Sequence, residues 1–197
     1  MVERARTAHS DADARDLGAI QRTLRDDPHA FNEIVERYTP LVFSLAHRYL
    51  SKTEDAEDAA QDIFLKVFDA LPRFRLSNRF YPWLYTIALN HIRSAAARSS
   101  RRRSRHTIEF SDTNASHATS LQQPEHELLA RESERIAQAA IDRLPQRYRD
   151  VFVLRQLEGI AVAEVAEILG IPEGTVKTNL HRARKELAQF IAHEGWP

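Results

Sequence analysis

Cysteine is absent from all 197 residues, so neither a disulfide framework nor a thiolate metal site can form. The five glycines build no glycine-rich phosphate loop, and the nine histidines include no pair at metal-ligand spacing. No catalytic group, metal or cofactor is therefore expected, and the chain does not read as an enzyme. No apolar run approaches the ~20 residues of a membrane helix. Met1 to Leu17 alternates charges and lacks the apolar stretch of a signal peptide. No membrane insertion is expected, and the expected location is the cytoplasm. Strand-type alternation is missing too. Turn-formers are few for the length, while Leu, Ala, Glu and Arg dominate. That balance predicts an all-α protein.

Net charge is also lacking: 28 basic residues match 28 acidic ones. A neutral total argues against a simple nucleic-acid binder, but the two signs are segregated. Ser51 to Ala70 holds six acids and two lysines. Arg79 to Arg105 holds seven arginines and no acid. Separate acidic and basic surfaces suit different partners.

Helical spacing organises the rest. Leu17, Ile20 and Leu24 mark a short amphipathic helix from Asp16 to Arg25, after a tail at 1–15. Asp27-Pro28 opens a helix through Arg37, and Pro40 opens another to about Leu50. A longer helix runs from Thr53 or Glu54 to about Leu71, a polar loop from Pro72 to Arg79, and a further helix from Tyr81 to Ala97. Arg98 to Gln123 has no helical period and reads as a basic, polar linker. Pro124 starts a second block with helices at Glu127–Leu144 and Gln146–Gln156 and two more to about His193. The expected architecture is two small helical domains, 16–97 and 124–193, joined by a flexible linker at 98–123.

In the second block, Val162, Val165, Ala166 and Leu169 share one helix face. Gly170 follows at the position where a left-handed conformation ends a helix. Ile171-Pro172 makes a very short turn, and Val176, Leu180, Ala183 and Leu187 repeat along the next helix. This is the helix-turn-helix arrangement. Its second helix presents Lys177, Thr178, His181, Arg182 and Lys185 away from the apolar stripe, donors suited to phosphates and base edges. The competing reading is a solvated face on an ordinary helical hairpin; the short turn and the basic outer face favour DNA.

In the first block, Ala56, Ala60, Ile63, Phe64, Val67 and Leu71 form the inner face of the acidic helix, with Asp55, Asp58, Asp62 and Asp69 opposite. Such a stripe repels DNA and attracts a basic protein surface, although charge runs are more often simply solvated. The next helix carries Trp83, Leu84, Tyr85, Ile87, Ala88, Leu89 and Ile92 around most of its circumference, leaving Thr86, Asn90 and Arg93 as a polar strip. The loop before it holds Phe74, Arg75, Asn78, Arg79 and Phe80. Aromatics beside arginines suit unstacked bases, and an amide such as Asn90 can read a base edge. Core packing is the alternative for the aromatics, Trp83 among them.

Four segments together resemble the extracytoplasmic-function branch of bacterial RNA polymerase sigma factors, of the sigma-70 family. They are Asp55 to Lys66, Phe80 to Asn90, Leu144-Pro145, and Gly170 to Lys177 with His181 to Lys185. The resemblance runs from about Asp16 to Phe190, leaving the linker unmatched. It implies a region 2 helical bundle, a region 4 helix-turn-helix domain and a role in promoter recognition. Asp55, Asp58, Gln61, Asp62 and Leu65 would dock on the core polymerase, with the β′ clamp helices as the surface met by the acidic helix. Phe74, Arg75, Asn78, Arg79, Trp83, Thr86, Asn90 and Arg93 would recognise and open the −10 element, trapping a flipped base. Thr175, Lys177, Thr178, His181, Arg182 and Lys185 would read the −35 element in the major groove. The linker would thread through the polymerase interior toward the RNA exit path, the partner being core polymerase with its β and β′ subunits, and the usual regulator would be an anti-sigma factor that masks both domains. His181 stands where relatives often carry an aromatic, so the base it reads stays open.

The other class to weigh is a stand-alone helix-turn-helix regulator that binds an operator without polymerase. Response regulators of that kind need a receiver domain of alternating strands, and nothing here alternates. A helical adaptor with no DNA role is disfavoured by the base-reading face.

Overall fold

An apolar residue every three or four positions, in chains of good helix formers, dictates amphipathic helices that must cover one another. The computed structural model describes residues 2–50, 52–106 and 136–193, and every regular element among them is helical. The chain divides into two units, Met1–Ile108 and Glu109–Pro197.

The first unit contains α1 (Val2–Leu24), α2 (Phe31–His47), α3 (Thr53–Ala70) and α4 (Phe80–His106). Turns of 3-10 helix at Pro28–Ala30 and Leu71–Arg73 precede α2 and follow α3. Ile34, Val42 and Leu45 of α2, Ala56, Ile63 and Val67 of α3, and Leu84, Ala88 and Ile92 of α4 are buried. Each large aliphatic among them stabilises the bundle by about 1.5–3 kcal/mol. Asp16 of α1 is drawn into the same core. It accepts hydrogen bonds from the Tyr38 hydroxyl at 2.5 Å and from the Arg37 guanidinium. Burial pushes its carboxyl above the usual range, while the Tyr38 bond and then the Arg37 charge pull it back. A buried carboxylate left without partners would be costly, so α1 docks in the register that brings Asp16 to Tyr38.

Three element boundaries differ from the sequence expectations. The residues set apart as a tail, 1–15, are helical from Val2 onward, continuous with the expected Asp16 helix. The break expected at Pro40 does not occur: α2 runs through it. Pro40 and Glu36 are both exposed, so the hydrogen bond that Pro40 cannot make is lost on the outer side of the helix, while the stripe Ile34, Tyr38, Val42, Leu45 is buried on either side of it in sequence. Finally, α4 passes the expected end at Ala97 and carries the arginines to His106. Ala and Arg have high helix propensity without needing an apolar stripe. The remainder of the proposed linker, 107–123, and the start of the expected Glu127–Leu144 helix lie outside the described residues.

In the second unit, α5 (136–143) is followed by α6 (Gln146–Phe152), a π-helical turn (Val153–Leu157), α7 (Val162–Leu169) and α8 (Glu173–His193). The single helix expected to Gln156 thus widens in its last turn, where the Glu158 amide bonds the Val153 carbonyl at 2.9 Å. Val153 and Leu154 are both wholly buried there. Arg149 closes the end of α5: its guanidinium donates to the carbonyls of Ile141 at 3.1 Å, Leu144 at 3.2 Å and Asp142. On α7, Val165 and Ile168 are the fully buried residues, while Val162, Ala166 and Leu169 are half-buried. The inward stripe is therefore rotated toward Ile168 relative to the expected face.

The turn between α7 and α8 follows the expectation. Gly170 has φ 64° and ψ 35°. The Ile171 amide bonds the Ala166 carbonyl at 3.0 Å and the Gly170 amide bonds that of Glu167 at 3.3 Å, the paired bonds of a Schellman end. The Pro172 carbonyl then accepts the first bonds of α8, from Thr175 at 2.9 Å and Val176 at 3.1 Å. A Cβ at Gly170 would meet nothing within 4 Å, so the cost of adding one is conformational only. Gly170→Ala is expected to destabilise the second unit by about 1–2 kcal/mol. Urea unfolding of the full chain, followed by circular dichroism, checks this; no loss of stability would mean that the left-handed turn is not maintained.

Candidate functional site

The acidic surface comes from the amphipathic division of α3. Its apolar residues face α2 and α4, which leaves Asp58, Gln61, Asp62, Leu65 and Asp69 exposed, with Asp55 half-buried. Leu65 is 65% exposed, a large apolar side chain in the middle of an acidic stripe. Phe68, one turn further on, is also exposed and lies edge-on to Phe31 at 5.2 Å. Exposed apolar residues rimmed by charge are the usual composition of a protein-binding patch. Asp55, Asp58 and Asp62 also form one wall of a groove of about 560 Å³, with Arg98 and Arg101 of α4 opposite. His91 sits nearly buried in it, its Nε2 3.5 Å from Asp62. Burial pushes the His91 imidazole down, and the Asp62 charge opposes that shift.

The residues expected at melted DNA divide into two groups. Phe74 is buried, packed against Phe80 at 5.6 Å and Trp83 at 4.8 Å. Phe80 is buried as well and meets Tyr38 at 5.7 Å. These rings brace the loop from within and leave no face for a base to stack on. Arg75, Leu76, Ser77 and Asn78 stand exposed at its tip, where the Asn78 amide bonds the Arg75 carbonyl at 2.9 Å. Arg79 turns back to Asp13 of α1, with Nε 3.3 Å from the carboxylate. Along α4, Asn90 is exposed, while Trp83, Thr86 and Arg93 are half-buried. The Thr86 hydroxyl donates to the Pro82 carbonyl at 2.9 Å, which fixes its rotamer. The loop tip is thus exposed beside the packed rings of Phe74, Phe80 and Trp83, and the Asn90 amide is exposed further along α4.

On α8 the packing stripe of Val176, Asn179 and Ala183 is buried, and Thr175, Lys177, Thr178, His181, Arg182 and Lys185 are all exposed on the remaining face. Thr178 donates to the Gly174 carbonyl at 2.9 Å. Arg182 extends sideways instead, its Nη1 3.3 Å from the Tyr148 hydroxyl of α6. Sequence reading missed His91, Phe68, Arg147 and Tyr148. The first two sat inside apolar runs that read as core. The last pair matters through Arg182, 34 residues away, and no local pattern announces that contact.

The family model for sigma-70 region 2 matches residues 34–103, and that for sigma-70 region 4 matches residues 134–187. The chain is 34% identical to the ECF RNA polymerase sigma-E factor of Haemophilus influenzae, over 89% of this chain and 95% of the relative. It is 31% identical to the ECF RNA polymerase sigma factor SigW of Bacillus subtilis, over 87% of this chain and 94% of that one. Among solved structures, CnrH in complex with the cytosolic domain of CnrY has a similar fold: TM-score 0.67 and 22% identity, covering 92% of this chain and 99% of that one. The sigma factor RpoE bound to the anti-sigma factor NepR from Bartonella quintana gives a TM-score of 0.61 at 23% identity, covering 82% and 96%. With both regions matched in order and relatives above 30% identity along nearly their whole length, the chain belongs to the extracytoplasmic-function branch of the RNA polymerase sigma factors.

Proposed function

We propose that the two units divide the work of a sigma factor by charge, the acidic face of α3 holding the polymerase and the basic face of α8 holding the promoter. The chain is a specificity subunit that binds core RNA polymerase and directs it to promoter DNA. A stand-alone helix-turn-helix regulator is not favoured, because the matched region 2 would then have no role. The observation that carries the assignment is Leu65, exposed between Asp58, Asp62 and Asp69 on a helix whose one exposed basic residue is Lys66. An apolar centre with an acidic rim suits a basic polymerase surface such as the β′ clamp helices, with Asp55 and Gln61 completing the contact.

On the DNA side, the exposed tip Arg75 to Asn78 and the Asn90 amide would meet the −10 element once its strands part. Trp83, Thr86 and Arg93 would line the same path, with Phe74 and Arg79 holding the loop. Thr175, Lys177, Thr178, His181, Arg182 and Lys185 would meet the −35 element in the major groove. The segment between the two matched regions would thread through the polymerase interior toward the RNA exit path. Such a subunit initiates transcription by binding and needs no catalytic group of its own. Its place of action is the cytoplasm, where core polymerase is found; among the described residues no helix is long and apolar enough to cross a membrane. The sigma factor RpoE from Bartonella quintana, of similar fold, was solved with the anti-sigma factor NepR, and a comparable inhibitor is proposed here.

Asp58→Lys with Asp62→Lys reverses the rim charge at two exposed positions. It should weaken binding to core polymerase by on the order of tenfold to a hundredfold while leaving the helical circular dichroism unchanged. Unchanged affinity in a fluorescence titration against core polymerase would refute the docking assignment. Lys177→Ala should weaken binding of holoenzyme to promoter duplex about equally for every −35 sequence and lower the salt slope by about one. A change in base preference at one position would instead place Lys177 on a base edge.

A further inference from the structure

The start of α6 carries an arginine and a tyrosine to which the promoter-binding scheme gives no role. The Tyr148 ring is buried in a small cluster with Leu144 and Ala183, edged by Phe152 and Leu187, so α8 lies across it. Its hydroxyl emerges at the seam between α6 and α8. There it accepts hydrogen bonds from Arg147 Nη2 at 3.1 Å and from Arg182 Nη1 at 3.3 Å. The Arg147 guanidinium also lies over the Tyr148 ring, 4.7 Å from its centroid.

Two cations from different helices are thus brought to one neutral atom. Both arginines are exposed, and among the described residues neither forms an ion pair with a carboxylate. Their convergence is also felt by the phenol, whose proton is held less tightly than usual, chiefly through the bond from Arg182 and then that from Arg147. A phenol oxygen has two lone pairs and one proton. With both lone pairs receiving guanidinium N–H groups, the hydroxyl proton is left to donate. These three side chains therefore offer three sets of donors and no free acceptor, centred on a buried ring. The complement is an acceptor-only anion with several oxygens in a small space, which is the chemistry of a phosphate group.

We propose that Arg147, Tyr148 and Arg182 form a clamp for one backbone phosphodiester at the edge of the −35 element, extending the DNA contact from α8 onto α6. The inference rests on the promoter-binding reading of α8, since Arg182 belongs to both. That shared residue is also why DNA is favoured over an acidic peptide: an anion at the seam lies beside the face that carries Lys177, Thr178 and His181. The clamp carries no base information. It fixes the register of α8 in the groove, so that the neighbouring side chains meet their bases at a set depth.

The test uses holoenzyme reconstituted from core polymerase and the full chain, with a promoter duplex selected by the wild-type holoenzyme from a random library. Affinity is measured as a function of potassium chloride concentration. Arg147→Ala should weaken binding roughly five- to tenfold at about 0.1 M salt and lower the salt slope by about one, equally for every −35 sequence. Arg147→Lys, which keeps the charge, should restore most of the slope. Tyr148→Phe, which keeps the buried ring, should weaken binding roughly threefold and shrink the further effect of Arg147→Ala, because the two residues act as a unit. Core binding should be unchanged in all three. An unaltered salt slope in Arg147→Ala overturns the clamp, and so does a lowered thermal midpoint with no change in slope, which would leave Arg147 only packing on Tyr148. A loss confined to core binding also overturns it and turns the cluster toward a protein. Failure of the wild-type holoenzyme to bind any promoter would instead defeat the promoter-binding reading itself.

Discussion

Opposite charges are kept on different helices, and the way this chain can work follows from that separation. The exposed face of α3 is acidic, the described part of α4 beyond Asn90 is basic, and the outer face of α8 is basic. A polyanion cannot approach α3 closely, and a basic protein surface gains nothing from α8. Zero net charge is the sum of these surfaces and describes neither. At the groove between α3 and α4 the two signs face each other, with Asp62 and His91 in contact and Arg98 and Arg101 across from the acids.

Packing is what frees these surfaces for partners. Each amphipathic helix buries one stripe and has no structural need of the other. Polar residues outside the proposed contact faces also supply cohesion. Asp16 with Tyr38 and Arg37 anchors α1, and Arg149 closes α5. The aromatic set of Phe74, Phe80 and Trp83 sits between the two roles. Its rings stabilise the turn into α4, and in doing so they hold Arg75 to Asn78 at the surface. Rigidity beneath a short exposed tip is a means of pre-organising a contact before the partner arrives.

What could be read from the sequence was what is decided locally. Gly170 announced its left-handed turn because no other residue fits that position cheaply, and the faces of α3 and α8 follow from helical period alone. Pro40 misled because the rule against proline assumes a buried or otherwise needed hydrogen bond, and here Pro40 and Glu36 both lie on the exposed side of the helix. The ends of α1 and α4 were set short because the apolar stripe fades there while Ala and Arg still favour helix. Phe74 could be assigned either to bases or to the core; its distances to Phe80 and Trp83 show the ring turned inward. The Arg147–Tyr148–Arg182 cluster was invisible, since it joins two helices across a stretch of chain with no periodic link between them.

The central claim is that the chain selects promoters as part of polymerase and not alone. Run-off transcription with purified core RNA polymerase on a library of random upstream sequences tests it most directly, with duplex binding by the free chain measured in parallel. Start sites should depend on the added chain and share two separated upstream elements, with only weak, salt-sensitive binding by the chain without polymerase. Tight sequence-specific binding by the free chain, together with no stimulated transcription from core polymerase, would contradict it.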